Sequence, residues 1–292
     1  MLLAEFMTTF YFVDHPEIAK GTKQNLNATI RIFAKFLGHA PTLSDLNKQT
    51  VCAFMIWMAE VIQYKPKTIN NKRGDLITLW YSAEEAGLMP PPPRIRKRKE
   101  PKRLPVVWTL EEIRRIYRAT DSAPGSYRGV PRPLIEKIAI SILWDTGVRI
   151  GTLRKARLQD VNLSEATWFV PAEHLKGKVE DRVFHLHSDT ISLLKTSLSE
   201  KRVRLVPLPL DKNTMYDWAK ELLRRADLPS DHLRKFHCIR RTAETHAAAK
   251  MGISWAAEAI GHTEAVARKY YVNPLYLKSP KLIEALPRLS AS

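Results

Sequence analysis

Residues 90–93 are four consecutive prolines. No helix or inner strand runs through such a stretch, because each proline lacks a backbone N–H and locks its own φ. The chain must therefore fold as two bodies on either side of a stiff, extended break. Charge marks the same place. Arg94, Arg96, Lys97, Arg98, Lys99, Lys102 and Arg103 follow the prolines, opposed only by Glu100. This reading predicts a first domain at residues 1–89, a basic Pro-rich linker at 90–105 and a second domain at 106–292. A chain of 292 residues suffices for two domains of ordinary size.

Lys and Arg number 47 against 30 Asp and Glu, a formal charge of +17, and 45% of the residues are hydrophobic. That apolar content builds cores and argues against a disordered chain. The clustered positive excess predicts an anionic partner, and nucleic acid is the commonest large one. The seven cations after the prolines are candidate DNA-backbone contacts, which would supply sequence-independent affinity by counterion release. Cys52 and Cys238 are far apart and form no C-x-x-C pair, so neither a disulfide framework nor a cysteine zinc site is expected. There is no basic-then-apolar leader and no long apolar run, so the expectation is a cytoplasmic protein without a membrane partner.

Helical periodicity dominates the first domain. Leu26, Ile30, Phe33 and Leu37 form one stripe; Val51, Met55, Met58 and Ile62 form a second; Ile69, Leu76, Leu79, Trp80 and Ala83 form a third that stops at Gly87. In the second domain Thr109 and Glu112 make a capping-box pattern. A further apolar helix over 134–144 ends at Gly147. Residues 167–170 and 182–186 read as short strands joined through a loop with Lys176, Gly177 and Lys178. Helical patterns resume near Asp189, Asp211, Lys235, Ser254 and Glu264. The seven tryptophans are assigned to cores and domain packing, and His185 and His187 to one face of a strand, without enough partners for a metal site.

The chemistry-bearing residues lie in ordered boxes. Arg149 sits in Thr146-Gly147-Val148-Arg149, His237 and Arg240 in His237-Cys238-Ile239-Arg240, His262 follows Gly261, and Tyr271 lies nine residues further on. Guanidinium groups clamp an anionic phosphorus centre bidentately, histidines move protons near neutral pH, and a tyrosine hydroxyl attacks once its proton is taken.

In these boxes the chain resembles the tyrosine recombinases, or phage integrases, whose members read T-G-x-R, H-x-x-R, G-H and then a tyrosine. The resemblance covers roughly residues 105–274 and extends more loosely to the first third. It implies a mainly α fold with a small β-sheet: a helical core-binding domain at 1–89 and a mixed α+β catalytic domain at 106–292. It implies strand cleavage and rejoining through a 3′-phosphotyrosyl link, with Tyr271 as nucleophile and Arg149, His237, Arg240 and His262 around the phosphate. A hairpin lysine would protonate the leaving oxygen. Lys176 is the preferred candidate and Lys178 its competitor. No cofactor and no small-molecule substrate is implied. The partners would be a double-stranded DNA recombination site and three further copies of the chain, a homotetramer on DNA, acting in integration, excision or resolution of mobile DNA.

The neighbouring Tyr270 cannot face the same phosphate, since successive helical residues are about 100° apart; it is expected to pack. One position departs from the family pattern. An acid usually stands three residues after the first arginine, and here that residue is Thr152. Glu244 is one possible substitute. The apolar tail residues Leu277, Leu282, Ile283, Leu286 and Leu289 would dock either on a neighbouring copy or on their own domain. Two other functions use similar parts: a nicking-closing enzyme of the type IB topoisomerase kind, and a catalytically silent DNA-binding or accessory protein.

Overall fold

The computed structural model describes residues 1–175, 177, 180–197, 203–231 and 233–277. The chain divides into two compact units, Met1–Lys102 and Arg103–Ser292.

The first unit is helical. Two short helices, α1 (Leu3–Phe6) and α2 (Phe12–Asp14), are joined by a π-helical turn at Met7–Tyr11. Three longer helices follow: α3 (Lys20–Leu37), α4 (Lys48–Glu60) and α5 (Pro66–Glu85). Their predicted stripes form one core, in which Leu26, Ile30, Phe33, Val51, Met55, Met58, Ile69, Leu76 and Leu79 are buried. Leu37 packs at its margin, and Ile62 is half-buried. Gly87 adopts φ +69 after α5, where the amides of Gly87 and Leu88 donate to Glu84 and Ala83. That left-handed stop suits glycine, which carries no Cβ penalty there.

The proline-rich segment is laid along this unit. Trp80 Nε1 donates to Pro90 O at 2.8 Å. Ile95 is buried in the core, and its carbonyl accepts from the Arg73 guanidinium. Asn70 pairs with both backbone groups of Arg98, donating to its carbonyl at 2.9 Å and accepting from its amide at 2.8 Å. The chain is thus fixed by Ile95 and Arg98 while Arg94, Arg96, Lys97 and Lys99 remain exposed. A single apolar anchor between cations explains how so charged a segment is ordered without secondary structure.

In the second unit α6 (Leu110–Ala119) starts at the expected capping box, with Thr109 and Glu112 each bonding the other's amide. A two-residue hairpin, β1 (Ser126–Tyr127) with β2 (Val130–Pro131), precedes α7 (Arg132–Thr146) and the short α8 (Ile150–Leu153). Strands β3 (Val161–Asn162), β4 (Thr167–Val170) and β5 (Arg182–His185) form an antiparallel sheet in that order, with Trp168 opposite Phe184. Then come α9 (Ser188–Thr196), α10 (Lys212–Arg225), α11 (Phe236–Met251), α12 (Ile253–Ile260) and α13 (Glu264–Tyr270). Helix α7 is central: Ile135, Ile138, Ala139, Ile142 and Leu143 are all buried. A smaller cluster of Ala248, Ala256, Ala257, Ala267 and Val272 ties α11, α12 and α13 together.

Two expectations need correction. His187 is not on the strand: β5 stops at His185, and His187 caps α9 by accepting from Asp189 N. Trp255 is half exposed and Tyr270 is 48% exposed, so neither lies in a core. No helix among the described residues is long and apolar enough to cross a membrane.

A buried ion network locks α7 to α10. Arg132 Nε lies 2.8 Å from Glu136, Arg225 also pairs with Glu136, and both arginines reach Glu221. Removing Glu136 leaves two poorly solvated guanidiniums sharing the single carboxylate of Glu221. Glu136→Ala is therefore expected to destabilise the second unit by about 3–5 kcal/mol, read as a lowered urea midpoint with an unchanged m-value.

Candidate active site

Local chain geometry puts each side chain in place. Helix α7 ends at Gly147, whose φ of +60 turns the chain left-handed. Arg149 follows as the extended residue that opens α8. On α11, His237 and Arg240 are three residues apart and share a face. Helix α12 ends at Gly261 with φ +90, which sets His262 beyond the turn. Tyr271 terminates α13, and Thr245 of α11 fastens it: the Thr245 hydroxyl donates to Tyr271 O at 3.2 Å and accepts from Asn273 N at 3.1 Å. Asn273 in turn donates to Pro105 O, and Val272 enters the alanine cluster. The backbone on both sides of the tyrosine is thereby held.

Five of the sequence-selected residues converge. Tyr271 is 6% exposed. Arg149 Nη2 lies 3.4 Å from its hydroxyl. The Arg240 guanidinium sits 5.0 Å from the centre of the phenol ring. His262 stacks on that ring at 4.7 Å with 23° between planes, and His237 meets it edge-on at 5.4 Å. Tyr270 points elsewhere, with the Lys269 ammonium 5.0 Å above its ring.

Arg240 is 2% exposed, and its Nη1 donates to Gly147 O at 2.6 Å. Its Nε and Nη2 have no hydrogen-bond partner among the described residues. Burial, then the positive charge of Arg149, pushes its pKa down to about 10. It stays cationic at neutral pH, but as a strained, under-solvated cation. Two buried donors without acceptors are costly in a folded protein. A bound anion would satisfy them.

A cavity of about 160 Å³ opens at this point. Arg149, Arg240 and Arg182 line it, with Glu180, Thr152 and Gly261. Arg182, on β5, is a third guanidinium that sequence reasoning missed. It pairs with Glu180 at 2.6 Å and donates to Glu258 O at 3.0 Å, resting on the bare Cα of Gly261. A larger open groove of about 890 Å³ lies on the sheet face by Phe169 and Val183. Among the described residues it is lined by a single lysine and no arginine, histidine or tyrosine, so size does not mark the reactive centre.

Gly147 links fold to site three ways: its φ, its carbonyl on Arg240, and its closeness to Ile260. A Cβ there would come within 2.8 Å of Ile260 Cδ1. Gly147→Ala is expected to cost about 1–2 kcal/mol in backbone conformation and to shift the carbonyl that holds Arg240. Any strand-cleaving activity should fall more than stability does, as measured by cleavage rate beside thermal melting.

The remaining candidates fall elsewhere. Lys176 and Lys178 lie outside the described residues, as do Leu282, Ile283, Leu286 and Leu289. Arg94, Arg96, Lys97, Lys99 and Lys102 are exposed in the first unit, Arg98 is half-buried there, and Arg103 is exposed in the second.

Known proteins resemble this chain in sequence and in fold. The chain is 23% identical to a tyrosine recombinase of Thermosipho africanus (strain TCF52B) over 268 residues, covering 87% of this chain and 89% of that one. Its fold matches the Tn1549 transposon integrase in complex with transposon right end DNA, at a TM-score of 0.71 and 14% identity, over 98% of this chain and 97% of the other. It also matches a lambda integrase tetramer bound to a Holliday junction, at 0.62 and 17%, over 90% and 75%. Residues 107–277, the stretch that builds the cavity and holds the tyrosine, match the profile of the Phage integrase family. With the family profile spanning more than half of the sequence, the chain belongs to the phage integrases, the tyrosine recombinases.

Proposed function

We propose that this chain is a site-specific DNA recombinase that cleaves and rejoins strands through a 3′-phosphotyrosyl intermediate. The observation that carries the reading is the convergence of the Arg149 and Arg240 guanidiniums on the Tyr271 phenol, with two Arg240 donors left unpartnered among the described residues. Donors fixed in advance around a site of developing negative charge stabilise a transition state without reorganising. The Tyr271 oxygen attacks phosphorus and loses its proton; the bond from phosphorus to the 5′ oxygen breaks, and that oxygen takes up a proton. Arg149 and Arg240 hold the equatorial oxygens. His262 and His237 flank the phenol and supply protons or hydrogen bonds. The phosphodiester's bond energy is retained in the covalent link, so rejoining needs no nucleotide cofactor.

The partner in this reading is double-stranded DNA carrying a recombination site. The exposed cations of the segment after the prolines neutralise its backbone, and the first unit is the core-binding domain. The active assembly is a homotetramer on two DNA sites, and the biological setting is integration, excision or resolution of mobile DNA. The known lambda integrase tetramer on a Holliday junction supports the assembly by fold likeness.

The test begins with DNA captured covalently by the wild-type protein in its host, whose sequence identifies the site. A duplex of that sequence, nicked beside the cleavage point so that the short product diffuses away, should yield a protein–DNA adduct resistant to detergent. Tight binding with no adduct would identify a silent binder. Equally fast relaxation of supercoiled DNA lacking the site would identify a nicking-closing enzyme.

A further inference from the structure

Thr152 occupies the place of the family's usual acid, and its hydroxyl donates to His174 O at 3.2 Å. The acid that reaches the centre comes from another element. Glu244 lies on α11, four residues beyond Arg240, and its side chain is fully buried. Its Oε2 is 3.1 Å from Nε2 of His262, and its other oxygen has no hydrogen-bond partner among the described residues. It also acts electrostatically on Arg240. His237, Arg240 and Glu244, at spacings of three and four, thus project from one face of a single helix.

We propose that Glu244 is a positioning residue that holds His262 flat against the Tyr271 ring, replacing from α11 the acid that is missing at Thr152. This rests on the recombinase reading given above. Proton bookkeeping supports it. The other ring nitrogen, Nδ1, lies 3.3 Å from Thr263 O. A carbonyl only accepts, so that contact puts a proton on Nδ1. The 3.1 Å contact between Nε2 and Glu244 then needs one more proton, on either the nitrogen or the carboxyl oxygen. Imidazolium with carboxylate and imidazole with carboxylic acid carry the same total charge. Both fix the ring plane, and that plane stacks on the nucleophile. A buried carboxylate is expensive unless paired, and here its pairing partner is the residue that it orients.

Glu244→Gln keeps the volume and a hydrogen bond but removes the exchangeable charge. Single-turnover cleavage on the nicked duplex should slow on the order of 10- to 100-fold, by analogy with the loss when the outer hydrogen-bond partner of a metal-ligating histidine is removed, while the DNA dissociation constant holds within about two-fold. The decisive comparison is a double-mutant cycle with His262→Ala. If Glu244 acts through His262, the glutamine costs nothing further once the ring is gone. Glu244→Asp retains the charge at the expense of packing, so it should cleave faster than Glu244→Gln. Wild-type cleavage by Glu244→Gln, an equal penalty with and without His262, or a slower Asp than Gln variant would each overturn the proposal. Should wild type itself form no adduct, the recombinase reading falls and this inference with it; an active wild type with an indifferent Glu244 sinks the inference alone.

Discussion

Tyr271→Phe should form no covalent adduct with DNA at all, while binding the same site with unchanged affinity. The reason is geometric. The phenol ring is packed between His262, His237 and Arg240, and the phenylalanine ring keeps those contacts. What disappears is the oxygen, which accepts the long 3.4 Å contact from Arg149. Folding stability should therefore change by no more than about 1 kcal/mol, the net worth of one hydrogen bond. Tyr270→Phe makes the contrast. That side chain is half exposed and lies off the centre, so its loss should leave adduct formation within about two-fold of wild type, an interval equivalent to roughly 0.4 kcal/mol. Denaturing gels of both variants on the nicked duplex, with melting curves alongside, check the pair.

The second large effect is at Arg240, where activity and stability are expected to part. This cation is buried, acidified by its surroundings, close to Arg149, and left with donors that have no partner among the described residues. Arg240→Met fills much of the same space without a charge. It should slow cleavage by ~10³-fold or more, since removing a single preorganised donor already costs about 10²–10³. Yet its Tm should equal or exceed that of wild type, because replacing a desolvated charge with a packed apolar chain is neutral or stabilising. Such a trade is expected where a fold tolerates strain in order to bind an anion. Arg240→Lys should not rescue the rate, because a point charge cannot hold Gly147 O and two phosphate oxygens with one planar fork. A variant losing both rate and several degrees of Tm would instead mark Arg240 as a structural residue.

Much of the architecture was legible before any coordinates, and the reasons are local. The stripes of α3, α4 and α5 obey the helical period, the capping box at Thr109 is a four-residue signal, and Gly147 announces both a helix end and a turn. What was missed depends on long-range contact or falls below the length at which a period exists. Two-residue strands such as Val161–Asn162 have no alternation to read. His187 looked like a strand residue because a capping side chain one step past a strand continues its alternation. Ile95 is a lone apolar residue among cations, and its place is fixed by Arg73, 22 residues earlier, and by the bond from Asn70 to Arg98, 28 residues apart.

The site divides the same way. Arg149, His237, Arg240, His262 and Tyr271 were picked from their boxes, although Arg149 and Tyr271 are 122 residues apart and meet only on folding. Arg182 escaped because its partner, Glu258, is 76 residues away and a strand arginine is normally solvated. Glu244 carried a readable signal, the spacing of three and then four after His237, but nothing local said that the face it shares with Arg240 would be buried. The proposed replacement of a missing acid by one from another helix would be a property of the fold and not of any single motif.

The most direct measurement is the identity of the residue bonded to DNA. Wild-type protein trapped on the nicked duplex, digested and sequenced by mass spectrometry, should yield one modified peptide, with a nucleotide 3′-phosphate on the Tyr271 oxygen. An adduct on Tyr270 or any other side chain, or tight binding without an adduct, would contradict the account.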